Sequence, residues 1–147
     1  MSTQMHTKAV PASEHRLDEY AEFIDGYRAL QLFDETGRMR GELVWRLAAG
    51  HTAEITELNI FEPGDRGQGW GTKLLESAIA DMRAYFASIG KPLRRIYLFT
   101  DNRNEQARAF YEARGFRLEK KLDEFFWWDD ALLYVRIVDD GLTGNWH

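Results

Sequence analysis

The sequence predicts a mixed α/β fold, organised as one domain over residues 1–147, and three observations carry that reading. Strand-like runs come first as a block, at residues 27–33, 39–47 and 53–61. Two helical patterns then alternate with a further strand, and a last pair of strand-like runs closes the chain. Between the block and the longer helical pattern sits Arg66-Gly67-Gln68-Gly69-Trp70-Gly71-Thr72, a glycine-rich junction of strand and helix.

Taken in order, residues 1–12 are polar and unpatterned, and a loose end is expected there. Residues 14–24 place Leu17, Tyr20, Ala21 and Ile24 at helical spacing, with Gly26 as a stop. The runs 27–33 and 39–47 flank Asp34-Glu35-Thr36-Gly37-Arg38, a cluster of turn formers that predicts a hairpin. In 53–61, Leu58 and Ile60 share one face while Glu57, Asn59 and Phe61 share the other. The helix over 73–89 carries an apolar stripe of Leu74, Leu75, Ala78, Ile79, Met82, Phe86 and Ile89, ended by Gly90-Lys91-Pro92. That stripe is core packing. Residues 93–100 are apolar on both faces (Ile96 and Leu98, then Tyr97 and Phe99), the mark of a central strand covered on both sides. Residues 101–104 form a loop and cap, and the next helix runs to about Arg114 before Gly115. Residues 116–128 and 132–138 are expected to pair antiparallel around Asp129-Asp130. Alternation would then put two members of Phe125-Phe126-Trp127-Trp128 on each face, the exposed two lining an acceptor pocket or a homodimer interface.

Composition narrows the function classes. The 147 residues suffice for a sizeable core, and 44% apolar with 14% aromatic content excludes disorder. No apolar run is long enough for a membrane span, and residues 1–10 lack a signal-peptide core, which favours the cytoplasm. The absence of cysteine removes disulfides, thiolate catalysis and cysteine-ligated zinc. Histidines 6, 15, 51 and 147 show no ligand spacing, so no metal is expected. A net charge of −5 argues against broad nucleic-acid binding.

The glycine junction carries the chemistry. Glycines at alternate positions leave main-chain N–H groups uncovered at a helix N-terminus, where the unpaired amides and the helix dipole favour a phosphate. Arg66 adds a guanidinium suited to bidentate phosphate contact. A mononucleotide P-loop needs Gly-Lys followed by Ser or Thr, whereas the order here is Gly71-Thr72-Lys73. A dinucleotide fingerprint needs two residues between its second and third glycines, and only Trp70 separates Gly69 from Gly71. Both spacings fail.

What the stretch resembles is the acyl-CoA loop of the GCN5-related N-acetyltransferase (GNAT) superfamily, Gln/Arg-x-x-Gly-x-Gly/Ala, which Arg66 to Gly71 fits at every fixed position. Asn104 to Phe116 is similar to the family's second signature: an Asn opening a helix, a Tyr seven residues later and a closing Gly-Phe. The resemblance covers roughly residues 27–138. It departs before Pro63, where the family often has apolar residues four and two positions upstream and this chain has Asn59 and Phe61; a bulge would alter the register.

The resemblance implies a mostly antiparallel central sheet flanked by helices, acetyl-CoA as co-substrate, and transfer of an acetyl group to a primary amine of a small molecule or protein. The early helix would help line the acceptor site. Strand residues Asn59, Phe61 and Glu62 would meet the amide-bearing middle of the cofactor, with the Phe61 N–H polarising the thioester carbonyl. Arg66, Gly67, Gln68, Gly69, Trp70, Gly71 and Thr72 would hold the pyrophosphate. Asn104 would cap its helix and bond the cofactor's central section, with Arg108 and Arg114 toward the adenosine. Tyr111 corresponds to the tyrosine that protonates the departing thiolate. Glu57, six positions before Pro63, corresponds to an acidic residue with which some members deprotonate the amine, the alternatives being Glu54 or no dedicated base at all. A non-catalytic acyl-CoA sensor or interaction module would keep the loop and need neither Glu57 nor Tyr111. Nucleotide binding by the same glycines would let ATP or NAD compete with CoA.

Overall fold

A computed structural model describes residues 26–138 in full and residues 5–11 as backbone. Seven strands form one sheet in the order β1-β2-β3-β4-β5-β7-β6. They are β1 (Met5–Pro11), β2 (Tyr27–Asp34), β3 (Met39–Leu47), β4 (Thr52–Ile60), β5 (Arg95–Asp101), β6 (Arg117–Leu122) and β7 (Ala131–Ile137). Every neighbouring pair is antiparallel except β4 with β5. Helix α1 (Trp70–Ser88) crosses between those two parallel strands, and α2 (Glu105–Ala113) follows β5. No helix among the described residues is long and apolar enough to cross a membrane.

Residues 5–11 overturn the expectation of a loose end: they pair along their whole length with β2 as an edge strand. Their polar composition hides them, because an edge strand needs only one partner's main chain, and Pro11 is tolerable where one side of the strand is unpaired. The helix expected at 14–24 lies outside the described residues. The predicted hairpin forms at Asp34, whose carboxylate accepts from the amides of Thr36 and Arg38 at 2.9 and 3.1 Å. The last pair of strands is shorter than expected. β6 stops at Leu122, not at Trp128, because Glu124 adopts a left-handed φ of 52° and donates its amide to Asp130 Oδ1 at 2.7 Å. The aromatic run therefore sits on a loop, and strand alternation does not apply to it.

Leu74, Leu75, Ala78, Ile79, Met82 and Phe86 of α1 are buried on Leu30, Leu32, Leu43, Trp45, Ile55, Ile96 and Leu98 of the sheet. Tyr111 and Phe116 join the same cluster, so both helices cover one face. Inside it lies one polar anchor. Asp81 of α1 takes two bonds from Arg28, at 2.8 and 2.9 Å, and a third from the indole N–H of fully buried Trp45 at 3.0 Å. Asp81→Ala strands that indole donor and frees the guanidinium, and is expected to cost about 2–4 kcal/mol in a denaturant titration. Asp81→Asn, which keeps an acceptor, should cost less; equal losses would mean that the helix position and not the bonding matters.

Two features of the sheet set up the site. β4 pairs with β5 only at Thr52–Arg95, Ala53–Ile96 and Glu54–Tyr97, after which each strand continues without the other. β4 also carries a bulge at Thr56, since Val44 faces Glu57 while Trp45 faces Ile55, and the Thr56 hydroxyl donates to Val44 O at 3.2 Å. The extra residue reverses the alternation. Ala53 and Ile55 face the helices before the bulge and Leu58 and Ile60 after it, so Glu54 and Glu57 share the opposite face.

Candidate active site

A groove of about 620 Å³ opens where β4 parts from β5 and runs to the N-termini of both helices. Leu58, Asn59 and Ile60 line one wall, Asp65, Arg66 and the three loop glycines with Thr72 one end, and Asn104, Tyr111 and Arg114 the helix side. The glycine loop folds as the sequence requires: Gly67 and Gly69 have φ of 74° and 88°, a region that a residue with a Cβ enters only at a cost. Among the described residues, none of the amides from Gly67 to Thr72 donates to a main-chain acceptor in a turn, loop or cap; the first to do so is Lys73, to Gly69 O at 3.0 Å. Gly69 is the N-cap and offers no side chain to satisfy them. A Cβ on Gly67 or Gly69 would meet nothing within 4 Å, so these glycines are set by backbone conformation and not by packing. Gly71 serves packing instead. A Cβ there would lie 3.1 Å from the Phe110 ring, so its absence lets α1 approach α2.

The neighbouring side chains fix the loop. Arg40 bridges Asp34 at 3.0 Å and Asp65 at 2.7 Å, tying the hairpin to the start of the loop. Arg114 donates to Thr72 Oγ1 at 2.8 Å and stacks 3.9 Å above the Phe110 ring. The Asn104 carbonyl oxygen caps α2 through the Ala107 amide at 3.0 Å while the residue lines the groove. Arg66, Gly67, Gly69, Gly71 and Thr72 line it as well. Gln68 and Trp70 contribute main chain to the loop but do not line the cavity; Trp70 packs against the core.

Three expectations are corrected. The Phe61 N–H is taken, donating to Arg40 O at 3.0 Å. Alternation turns the amides of Glu57 and Asn59 the same way, toward β3, and leaves those of Leu58 and Ile60 directed at the split. Counting back from Pro63 therefore picks an amide that the ladder with β3 already occupies. Glu62 lies past the strand, its carboxylate held by Arg38 at 2.5 Å. Arg108 points away from the groove, to Tyr134 Oη at 3.4 Å and Asn102 O at 3.2 Å.

Tyr111 is 7% exposed, wedged edge-on between Phe110 and Phe116, and reaches the groove wall. Burial pushes its phenol far above the usual tyrosine range, so the hydroxyl keeps its proton. Glu57 stands on the other face of the split and does not line the groove. Glu54 is engaged by Arg46 at 2.6 Å and by the Tyr97 hydroxyl at 3.2 Å, which makes it a structural carboxylate.

The family model described as the acetyltransferase (GNAT) family matches residues 6–116. The chain belongs to the GNAT acetyltransferase family. No curated protein matches it by sequence. Among solved structures, the IAA acetyltransferase of Bacillus cereus superposes with a TM-score of 0.74 at 16% identity, over 92% of this chain and 100% of that one. A GNAT acetyltransferase of Elizabethkingia anophelis with acetyl-CoA bound gives 0.70 at 15% identity, over 92% and 98%. The spermidine/spermine N-acetyltransferase of Vibrio cholerae gives 0.69 at 20% identity, over 91% and 92%. At these identities the likeness speaks for the fold.

Proposed function

We propose that this GNAT protein transfers the acetyl group of acetyl-CoA directly to a primary amine, in a complex holding both substrates. The observation that carries the reading is one groove lined both by the glycine loop with its uncovered amides and by Tyr111. Acetyl-CoA supplies a thioester, whose carbonyl carbon accepts the amine. The loop amides and Arg66 hold the diphosphate, and Asn104 and the outward amides of β4 hold the extended middle section. The Ile60 N–H takes the role expected of Phe61, donating to the carbonyl oxygen as negative charge grows there, which is worth ~3 kcal/mol of barrier. As the new C–N bond forms and the C–S bond breaks, Tyr111 gives its proton to the sulfur. Glu57, directly or through water, removes the amine proton. With no cysteine in the chain, no thiol can carry the acetyl group between the two substrates.

Thiol release from acetyl-CoA, followed over a panel of amines, tests this. CoA binding without release on any amine would leave a binding module. Glu57→Gln is expected to lower kcat/KM by roughly tenfold or more near neutral pH and to recover as the amine itself deprotonates at higher pH. Wild-type kcat/KM in the variant would assign the proton to bulk water.

A further inference from the structure

The face of the sheet opposite the helices carries an aromatic chain that the cofactor groove does not use. Tyr97, hydrogen bonded to Glu54 at the last point where β4 and β5 pair, meets Phe99 edge-on at 5.8 Å. Phe99 stacks on Phe125 at 5.5 Å with the rings 11° apart. Phe125 meets Phe126, Phe126 stacks on Trp128 at 4.8 Å, and Trp127 stands edge-on to Trp128. The row thus runs from the apex of the split, past the side where Glu57 stands, to the tip of the loop between β6 and β7.

Its outer rings are open: Phe125 is 57% exposed and Trp127 92%. The loop is also held in shape, not left slack. Arg103 donates its amide to Asp129 Oδ2 at 3.0 Å and its guanidinium to the Trp128 carbonyl at 3.2 Å, and Asp130 binds the Glu124 amide and Lys121. Arg46 is matched by Glu54, Arg103 by Asp129 and Lys121 by Asp130; Arg95 lines a recess with Tyr97 and Phe99 at the opposite end of the row, while Asp123 and Glu124 are exposed beside the outer rings. A row of exposed aromatic faces that begins at the apex of the split, on the face of the sheet that carries Glu57, suits a ligand with a flat apolar body, and the proposed reaction asks that its head be an amine.

Resting on the proposed transfer reaction, we propose that Phe99, Phe125 and Trp127 form the acceptor-recognition surface and select primary arylalkylamines. The aromatic body lies on the rings and the amino group enters the split on the Glu57 side, across the sheet from Tyr111. Direct transfer requires the amine to approach from the side that the cofactor leaves open, and the aromatic row borders that side.

The test uses the full chain with 2-phenylethylamine and tryptamine as aryl probes and n-butylamine and spermidine as controls. Thiol release gives KM for each amine, saturation-transfer NMR detects amine binding to the CoA-loaded protein, and calorimetry gives the CoA affinity. Wild-type protein should favour the aryl probes, and Phe125→Ala with Trp127→Ala should raise their KM about tenfold or more, beyond any change for n-butylamine, with CoA affinity unaltered. Both side chains are largely exposed, so the variants should fold. Equal KM changes for aryl and alkyl amines, or no wild-type preference, overturns the proposal. So does a dimer that the variants dissociate while arylamine binding persists. If no amine releases thiol, the transfer reaction fails by itself, while NMR binding of the aryl probes and its loss in the variants still decides the surface.

Discussion

Gly69→Glu is expected to weaken CoA binding by more than a hundredfold, measured by calorimetry, while leaving the fold in place. Two effects meet at this residue. A φ of 88° costs any residue with a Cβ about 1–2 kcal/mol, but a Cβ there clashes with nothing, so the strain is small against the stability of a folded domain. The carboxylate acts differently. It stands at the cap position of α1, among amides that have no main-chain acceptor within the described protein, and competes for them with the incoming diphosphate. Charge-assisted bonds of this kind contribute about 1.5–3 kcal/mol each, so losing two exceeds the roughly 2.8 kcal/mol that a hundredfold requires. Gly69→Ala separates the effects, because it carries the strain without the charge and should lose only a small part of the affinity. Wild-type affinity in the Glu variant would show that the diphosphate does not sit on these amides, and would remove the basis for the proposed enzyme.

What the sequence discloses, and what it conceals, follows from the range of the forces involved. The hairpin at Asp34, the stripe of α1 and the cap at Asn104 depend on neighbours within a few residues, so their spacing is visible in the chain. The uncovered loop amides are visible for the same reason, since glycine acts on its own backbone. β1 is not, because its pairing with β2 joins segments far apart in the chain and asks little of its side chains. The phase of β4 is half visible: the mismatch at Pro63 shows that something is displaced, but only pairing with β3 reveals where. Counting back from the proline picks Phe61 as the donor, whereas the ladder assigns that N–H to Arg40 and directs Ile60 at the split. The aromatic row is concealed differently. Its members stand out as a run, yet alternation breaks at Glu124, and the partnership of Phe125 with Phe99 joins a loop to a strand that the sequence cannot place side by side.

Tyr111→Phe should lower turnover by roughly a hundredfold or more while CoA affinity stays within about twofold of wild type. The substitution removes one oxygen and keeps the ring contacts with Phe110 and Phe116, so the core is conserved and the loss falls on proton transfer. Its pH behaviour distinguishes that role from a packing role. A phenol in water loses its proton near pH 10, but burial raises the Tyr111 value well above that. The folded protein therefore holds this proton where the unfolded chain would release it. The associated stability is fully present below about pH 10 and falls as the pH climbs beyond it. Within the working range the hydroxyl is always a donor, so wild-type turnover should show no alkaline limb from this group, and the deficit of the Phe variant should stay constant between roughly pH 6 and 9. An alkaline limb in that window, lost in the variant, would mean that Tyr111 ionises in the working enzyme and is not the buried donor of this geometry. Equal turnover in both proteins across the window would take the proton to the sulfur by another route, leaving Tyr111 as a wedge between α2 and the sheet.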